Sequence, residues 1–161
     1  MPLDIGDGVI AKSSPAAGLA GRPDGFHSIL EVNPMPIDLS LAYDQSNIFA
    51  RILRGEISSA LVYEDEFAVA FHDINPQAPV HILVVPRGPY VSWDDFTAKA
   101  PDAEVAGFMR AVGEVARQAG LVANGYRLLV NVGQHGHQEV PHLHVHIFGG
   151  RQFHDMVPPE K

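Results

Sequence analysis

A chain of 161 residues, 46% of them hydrophobic, provides for one compact domain with a sizeable core and leaves little length for a second. Its formal net charge of −8 disfavours broad binding to nucleic acid or to an anionic membrane surface, because both carry negative charge and would repel it. The chain has no cysteine, which excludes disulfides, thiolate metal ligands and a cysteine nucleophile.

The first 46 residues differ in composition from the rest. They hold five glycines, five prolines and six acidic residues, against only Lys12 and Arg22. They lack the basic start and apolar stretch of a secretory signal, and no apolar run approaches the roughly 18 residues of a membrane span. We therefore predict a cytoplasmic protein with an N-terminal extension over 1–46 and one domain over 47–161.

Part of this extension has a regular pattern. Apolar and polar residues alternate in "IDLSLAY" at 37–43, which is the period of a half-buried strand. The pattern predicts that the segment around residues 36–43 docks as an added strand or as an arm, either on its own subunit or on a partner.

A short amphipathic helix, three strands, a longer helix and two further strands follow in that order. The first helix is predicted in "SNIFARILRGE", with Ser46 as its candidate cap and Gly55 as its stop. The strands are short apolar runs separated by turns: "ALVYE", "FAVAFHD", "VHILVVP", "YRLLVNV" and "HLHVHIFG". Five strands with one short and one long helix predict an α+β fold with a mainly antiparallel sheet.

The longer helix is predicted over about residues 101–119, with Pro101 near its start and Gly120 at its end. Its apolar residues fall on one face, namely Val105, Phe108, Met109, Val112, Val115, Ala116 and Ala119. This stripe predicts that the helix covers one face of the sheet.

The last predicted strand carries histidines at every second position. Side chains alternate across a strand, so His142, His144 and His146 are expected on one face, with Leu143, Val145 and Ile147 on the other. On the third strand His81 shares a face with Leu83 and Val85, and it joins the row if the two strands are neighbours.

Two functional interpretations of the row remain open, because three imidazoles on one face cost too much desolvation to be structural filler. In a zinc site, ligand nitrogens lie at about 2.0 to 2.1 Å from the metal, whereas three alternate strand positions span about 13 Å. An extended phosphate suits a row better. Mutual repulsion of protonated neighbours predicts a mixture of neutral nucleophile and cationic donors near pH 7.

"HLHVHIF" matches the histidine triad (HIT) pattern, in which histidines alternate with apolar residues. Residues 47–154 resemble the HINT branch of nucleoside phosphoramidases in the order and spacing of three segments, and residues 1–46 lie outside this resemblance. These segments are "NIFARILRGEISSALVYEDEFAVAFHDINPQAPVHILVVP", "GYRLLVNVGQHG" and "HQEVPHLHVHIFGGRQF". The resemblance implies a homodimer with the sheet extended across it, and a reaction that needs no metal or cofactor.

The resemblance also implies a role for each residue of the row. His144 would attack the α-phosphorus of a nucleotide and form a nucleotidyl-histidine intermediate. His142 would fix the tautomer of this nucleophile through its backbone carbonyl. His146 would bind phosphate and assist the leaving group, and His81 would complete the row.

Further positions match the nucleotide-binding residues of the family. Asp73 matches the carboxylate that accepts both ribose hydroxyls, and Asn131 and Gln138 match positions that contact phosphate or the 5′ oxygen. Glu139 stands where some relatives carry a Ser or Thr that donates a hydrogen bond on the leaving-group side. The apolar slot for the base would comprise Ile48, Phe49, Ile52, Phe71, Ile74 and Leu83.

The chain departs from the family pattern beside the triad. It has His137 where relatives commonly have a second glycine after Gly136, and Pro141 where many have Tyr. Proline removes a backbone donor next to the site, and the Glu139 carboxylate can only accept a hydrogen bond.

The function expected from this resemblance is hydrolysis of purine nucleoside 5′-phosphoramidates, derivatives of AMP or GMP, to the nucleoside monophosphate and an amine. Three alternatives remain open. The first is a dinucleoside polyphosphate hydrolase of the same family, the second is a nucleotide-binding regulatory module with little turnover, and the third is a metal-dependent hydrolase.

Overall fold

A five-stranded antiparallel sheet organises the protein, whose computed structural model describes residues 37–157. The strands are β1 (Leu61–Glu64), β2 (Ala68–His72), β3 (Val80–Pro86), β4 (Arg127–Leu129) and β5 (Val145–Gly149), in the spatial order β1-β2-β3-β5-β4. The helices are α1 (Ile48–Leu53), α2 (Trp93–Lys99) and α3 (Asp102–Gln118). The predicted α+β fold and antiparallel pairing are confirmed. Residues 1–36 and 158–161 lie outside the described part of the chain.

The helix α3 covers one face of the sheet, as its apolar stripe predicts. Its buried side chains pack with residues of β2, β3 and β5 in the larger core: Phe108, Ala111, Val112, Val115 and Ala116 from the helix, and Ala70, Ile82, Val84, Val145 and Ile147 from the strands. Met109 is an exception, because it is 48% exposed despite its place in the predicted stripe. None of the helices within residues 37–157 is long and apolar enough to cross a lipid bilayer.

The opposite face of the sheet carries a smaller core, to which α1 contributes Phe49. This residue packs with Val69, Phe71, Leu83 and Val85. The helix is capped by Asn47, whose side-chain Oδ1 accepts a hydrogen bond from the Ala50 N–H at 2.9 Å. The prediction of Ser46 as the cap was therefore wrong by one residue.

The helix α2 was not predicted from the sequence, so the described part of the chain holds two short helices rather than one. Ser92 caps it, with Oγ accepting from the Asp95 N–H at 3.3 Å, and Asp94 lies in the first turn. These are ordinary start signals, but the helix has only 7 residues and a single buried side chain, Phe96. It offers no repeated apolar period from which a helix is normally predicted.

Residues 37–43 form no strand within the single chain described, and their docking on a partner subunit stays a prediction. The Asp38 carboxylate accepts hydrogen bonds from the Ser40 N–H at 2.9 Å and from its hydroxyl at 2.6 Å, which closes a local turn. Such side-chain-to-backbone bonds compete with strand pairing. The alternating pattern therefore gives an exposed turn, with Leu41 65% exposed, followed by a half-buried Tyr43.

Candidate active site

The three histidines of the triad lie where the chain enters β5. Only His146 is inside the strand, which begins at Val145, so the prediction that all three lie on the strand was wrong for His142 and His144. The backbone there has other partners: the His142 N–H donates to the Val140 carbonyl and the Leu143 N–H to the Tyr90 carbonyl, each at 2.8 Å. The side chains nevertheless alternate.

Leu143, Val145 and Ile147 pack into the larger core under α3. The histidines lie on the other side, where the Phe49 ring meets His142 and His144 edge-on at centroid distances of 6.2 and 5.1 Å. The His144 and His146 rings are 5.0 Å apart. The expected division into an imidazole side and a core side is therefore present.

The expected fourth imidazole joins the row. Strands β3 and β5 are neighbours, with Leu83 opposite His146 and His81 opposite Phe148. His81 Nε2 lies 2.9 Å from His146 Nδ1. Phe148 stacks parallel to the His146 ring at 5.5 Å and lies 4.3 Å from the His81 ring, so it supports both.

The hydrogen-bond partners of His142 and His144 define which nitrogens carry protons. A carbonyl can only accept, so the His144 Nδ1–H donates to the His142 carbonyl at 2.7 Å. A neutral His144 then has a free lone pair on Nε2. By the same argument the His142 Nε2–H donates to the Pro86 carbonyl at 3.0 Å.

A second chain of hydrogen bonds runs through His81 and His146. The Gln77 backbone N–H donates to His81 Nδ1 at 3.3 Å, which leaves the proton of a neutral His81 on Nε2, facing His146 Nδ1. The proton of a neutral His146 is then on Nε2. This atom is the one buried side-chain nitrogen or oxygen without a hydrogen-bond partner among residues 37–157. The site thus holds an unshared N–H donor near an unshared lone pair.

Burial holds the row in its neutral form. It lowers the pKa of His142 to about 4. Burial, together with repulsion from His144 and His81 when those rings are protonated, lowers the pKa of His146 to about 4. Burial also lowers the pKa of His144 and of His81, although Asp73 opposes both shifts. The expected mixture of neutral and cationic imidazoles near pH 7 is therefore not the resting state, because desolvation of each ring outweighs the attraction of the neighbouring carboxylate.

The predicted base slot is only partly assembled. Phe49, Phe71 and Leu83 pack together, and Ile52 lies against them. Ile48 is 44% exposed and Ile74 is 88% exposed, so neither belongs to that cluster. Ile74 lies in the loop after β2, where nothing within residues 37–157 covers it.

Asp73 lies within reach of the imidazole row. Its Oδ2 is 3.5 Å from His81 Nε2, and its Oδ1 accepts from the Asn75 N–H at 2.7 Å. One ligand atom from each of Asp73, His81 and His146 falls within 4.8 Å of the others, so these three are the candidate metal ligands of the described residues.

The loop before the triad is held by Gln138. Its amide donates to the Val91 carbonyl at 2.6 Å and the Val140 carbonyl at 2.9 Å, and its Oε1 accepts from the Gly133 N–H at 3.0 Å. The side chain is thus bonded to backbone in this structure, and its predicted contact with phosphate stays a prediction. Asn131 is half-buried in the segment after β4.

Two departures from the family pattern, His137 and Glu139, are exposed, whereas Pro141 is half-buried. His137 has a φ of 55°, in the left-handed region that a non-glycine residue rarely adopts. Its Nε2 lies 3.3 Å from the Glu139 carboxylate, and both side chains are exposed. Gly136 cannot be replaced freely, because a Cβ there would lie 2.5 Å from the Val132 carbonyl oxygen.

Sequence reasoning missed Tyr43 and Phe148 as parts of this site. The Tyr43 hydroxyl bonds to His142 Nδ1 across 99 residues of sequence. No spacing rule connects residues so far apart. Phe148 continues the alternation of the triad by one more step, so the period of the strand was a usable signal for it.

A sheet face that presents a buried row of imidazoles, one with a free lone pair and one with a free N–H, defines a protein built for nucleophilic chemistry with proton transfer. Residues 54–153 match the family model described as "HIT domain", and the chain belongs to this family. It is thereby a HIT-family nucleotide hydrolase.

Three relatives illustrate the similarity. The chain is 60% identical over 119 residues to an uncharacterized 13.2 kDa HIT-like protein of Azospirillum brasilense, covering 74% of this chain and 98% of that protein. It is 40% identical over 113 residues to the purine nucleoside phosphoramidase of Escherichia coli K12, covering 70% and 94%. The structure of a histidine triad protein from Clostridium difficile superimposes with a TM-score of 0.61 at 42% identity, covering 68% and 95%.

Proposed function

We propose that the protein hydrolyses purine nucleoside 5′-phosphoramidates to the nucleoside 5′-monophosphate and an amine, through a nucleotidyl-His144 intermediate. The observation that carries this proposal is the tautomer of His144, whose Nδ1–H is bonded to the His142 carbonyl so that Nε2 keeps its lone pair. The 40% identity to a protein named purine nucleoside phosphoramidase supports the choice of substrate class.

In the first step, His144 Nε2 attacks the α-phosphorus and the P–N bond to the amine breaks. The amine needs a proton to leave, and we assign its delivery to His146, whose Nε2 has no hydrogen-bond partner within the described residues. The bound phosphoryl group is negative and favours protonation of His146 at Nδ1, so its pKa rises in the complex and Nδ1 gives up the hydrogen bond that it accepts from His81. The imidazolium then donates its proton to the amine and becomes neutral.

In the second step, water attacks phosphorus and displaces His144. The proton of the water goes to His146, which restores the imidazolium, and the nucleoside monophosphate leaves. The intermediate carries positive charge on the His144 ring, and the bond from Nδ1–H to the His142 carbonyl stabilises that charge. Two displacements at phosphorus, with His144 Nε2 entering in the first and leaving in the second, thus replace a single direct hydrolysis.

Nucleotide recognition follows from the surroundings of the row. Asp73 accepts the ribose hydroxyls, and Phe49, Phe71 and Leu83 form the inner wall of the base slot, with Ile48, Ile52 and Ile74 at its rim. Asn131, Gln138 and Glu139 lie on the phosphate side, where Gln138 also fixes the loop through its backbone bonds.

The decisive experiment is hydrolysis of adenosine 5′-phosphoramidate in excess EDTA by wild type, His144→Ala and the exposed control His72→Ala. We expect turnover by wild type and the control, and none by His144→Ala. If wild type binds AMP without turning over the phosphoramidate, the polyphosphate-hydrolase and regulatory alternatives replace the proposal.

The assay in EDTA also tests whether the reaction depends on a metal. The residues that would bind the metal are Asp73, His81 and His146. The hydrogen bond between His81 and His146 already uses the two facing nitrogens of this group. A metal would have to displace that bond. Activity lost in EDTA and restored by zinc would establish the metal-dependent reaction instead.

We also propose that the protein is a homodimer joined through the edge of the sheet. β4 is the edge strand next to β5, and Leu128 in it is exposed. Leu128 is paired with Ile147 and therefore lies on the face covered by α3, where Met109 is also exposed. An edge strand whose outer side pairs with no other strand among residues 37–157, beside exposed apolar side chains, favours association with a second copy.

A further inference from the structure

The Tyr43 side chain reaches the triad from a part of the chain that precedes the family domain. Tyr43 lies before α1, and the match to the HIT model begins only at residue 54. Its hydroxyl bonds to His142 Nδ1, and the two rings meet edge-on at 5.5 Å. His142 is fully buried, so this hydroxyl is one of its few polar neighbours.

The direction of this hydrogen bond follows from the other side of the His142 ring. The Pro86 carbonyl holds the Nε2–H, so Nδ1 of the neutral ring can only accept. The Tyr43 O–H is therefore the donor. Burial raises the pKa of Tyr43, so this proton stays in place at neutral pH. Both nitrogens of His142 are then satisfied, and its ring is held at two points.

We propose that Tyr43 is a positioning residue for the nucleophile, an inference that rests on the proposed function. His142 serves His144 through its backbone carbonyl, which accepts the Nδ1–H at 2.7 Å. A ring held at both nitrogens anchors His142 between Tyr43 and the end of β3, and this anchoring keeps the backbone carbonyl of the same residue in place. The hydroxyl of Tyr43 thereby keeps the lone pair of His144 on Nε2.

The segment that carries Tyr43 is itself anchored. The Asn47 side chain caps α1 and also donates to the Asp44 carbonyl at 2.7 Å, and Arg54 donates to the Gln45 carbonyl at 2.9 Å. These bonds hold the residues after Tyr43 to the helix. Phe49 on the same helix meets both His142 and His144, so the segment and α1 approach the triad together.

The catalytic test compares Tyr43→Phe with Tyr63→Phe. Tyr63 is a matched control, because its half-buried hydroxyl also makes one side-chain bond, to Asp65 Oδ2 at 2.7 Å, on β1. Loss of one such bond at His142 should slow formation of nucleotidyl-His144 by about threefold to tenfold. KM should change little, since Tyr43 touches the ring that positions the nucleophile. Tyr63→Phe should react at the wild-type rate.

A second readout does not depend on turnover. Nitrogen-15 spectra of the imidazoles should show His142 as the Nε2–H tautomer with a hydrogen-bonded Nδ1, and His144 as the Nδ1–H tautomer. In Tyr43→Phe the His142 Nδ1 resonance should move to the position of an unbonded nitrogen, and His144 should populate both tautomers. The Tyr63→Phe spectra should match wild type.

The two proposals fail in different ways. If wild type does not cleave phosphoramidates, the proposed function fails, and the tautomers of His144 alone decide the role of Tyr43. A His144 that stays wholly in the Nδ1–H form in Tyr43→Phe overturns the positioning role, as does an unchanged rate of intermediate formation. A wild-type His142 with its proton on Nδ1 overturns it without any variant.

Discussion

Burial is the main influence on the four histidines of the site. It lowers the pKa of His142 and of His146 to about 4, and it lowers the pKa of His81 and of His144 in the same direction. Each imidazole of the resting site therefore carries one proton, and its hydrogen-bond partner decides which nitrogen holds it. The tautomer, rather than the charge, distinguishes the nucleophile from the proton donor.

The lowered pKa of His142 predicts how the free energy of unfolding depends on pH. His142 has a pKa of about 4 when folded and about 6.5 when unfolded, so the unfolded state binds more protons between these values. The free energy of unfolding should therefore fall as the pH is lowered from about 6.5 to about 4, by about 3 kcal/mol at most from this residue. Denaturant unfolding at a series of pH values measures this loss.

The contribution of His142 is isolated by comparing how steeply the free energy of unfolding changes with pH in wild type and in variants. His142→Asn does not titrate in this range, so its stability should change less steeply with pH than that of wild type. His72→Asn, at an exposed position, should keep the wild-type slope. Equal slopes for wild type and His142→Asn would contradict the assignment.

At the scale of elements, α1 packs both against the smaller core of the sheet and against the histidines of the site. It has only 6 residues, and its Phe49 contacts both His142 and His144. A helix this short is not stable by itself, so its cap and its packing must hold it in place. Asn47 supplies the cap and is buried.

Loss of the Asn47 cap should therefore lower the free energy of unfolding. Asn47→Ala removes the acceptor for the Ala50 N–H and should lower the free energy of unfolding by about 1 to 2 kcal/mol. Asn47→Asp keeps an acceptor at that position and should lose less. Thermal or denaturant unfolding of the two variants measures the difference, and equal losses would show that the cap is not the cause.

At the scale of the whole molecule, the sheet separates structural and functional faces. The α3 face is filled by the larger core, and the α1 face carries the smaller core with the imidazole row at its edge. Leu128 on the edge strand and Met109 on α3 are both exposed, and Leu128 lies on the α3 side of the sheet. This is the surface on which the proposed homodimer depends.

The homodimer predicts a mass in solution of twice the 17.4 kDa of one chain, measured by light scattering after gel filtration. Leu128→Lys places a charge in the proposed contact and should give a monomer. Leu61→Lys, at the exposed opposite edge on β1, should leave the mass unchanged. A monomeric wild type would contradict the proposal.

The sequence by itself determined the elements whose signals are local or periodic. Short apolar runs between turns predicted the strands. Alternation predicted the division between imidazoles and core, because that period follows from backbone geometry. The spacing of apolar residues predicted α3, and the triad itself predicted the family. The elements that differed from prediction depend on local hydrogen bonds, which leave no periodic pattern in the sequence. The Asp38 carboxylate closes a turn where a strand was expected at 37–43, and Ser92 caps a helix too short to predict.

Only the tertiary structure decided the chemistry of the row. Pairing of β3 with β5 brought His81 to 2.9 Å from His146, and the carbonyl of His142 and that of Pro86 assigned the protons. Burial removed the charges that the sequence alone had predicted for clustered histidines. Tyr43 reached His142 from 99 residues away. Tautomers and pKa values depend on which groups meet and how far water is excluded, and both arise from contacts between residues far apart in the chain.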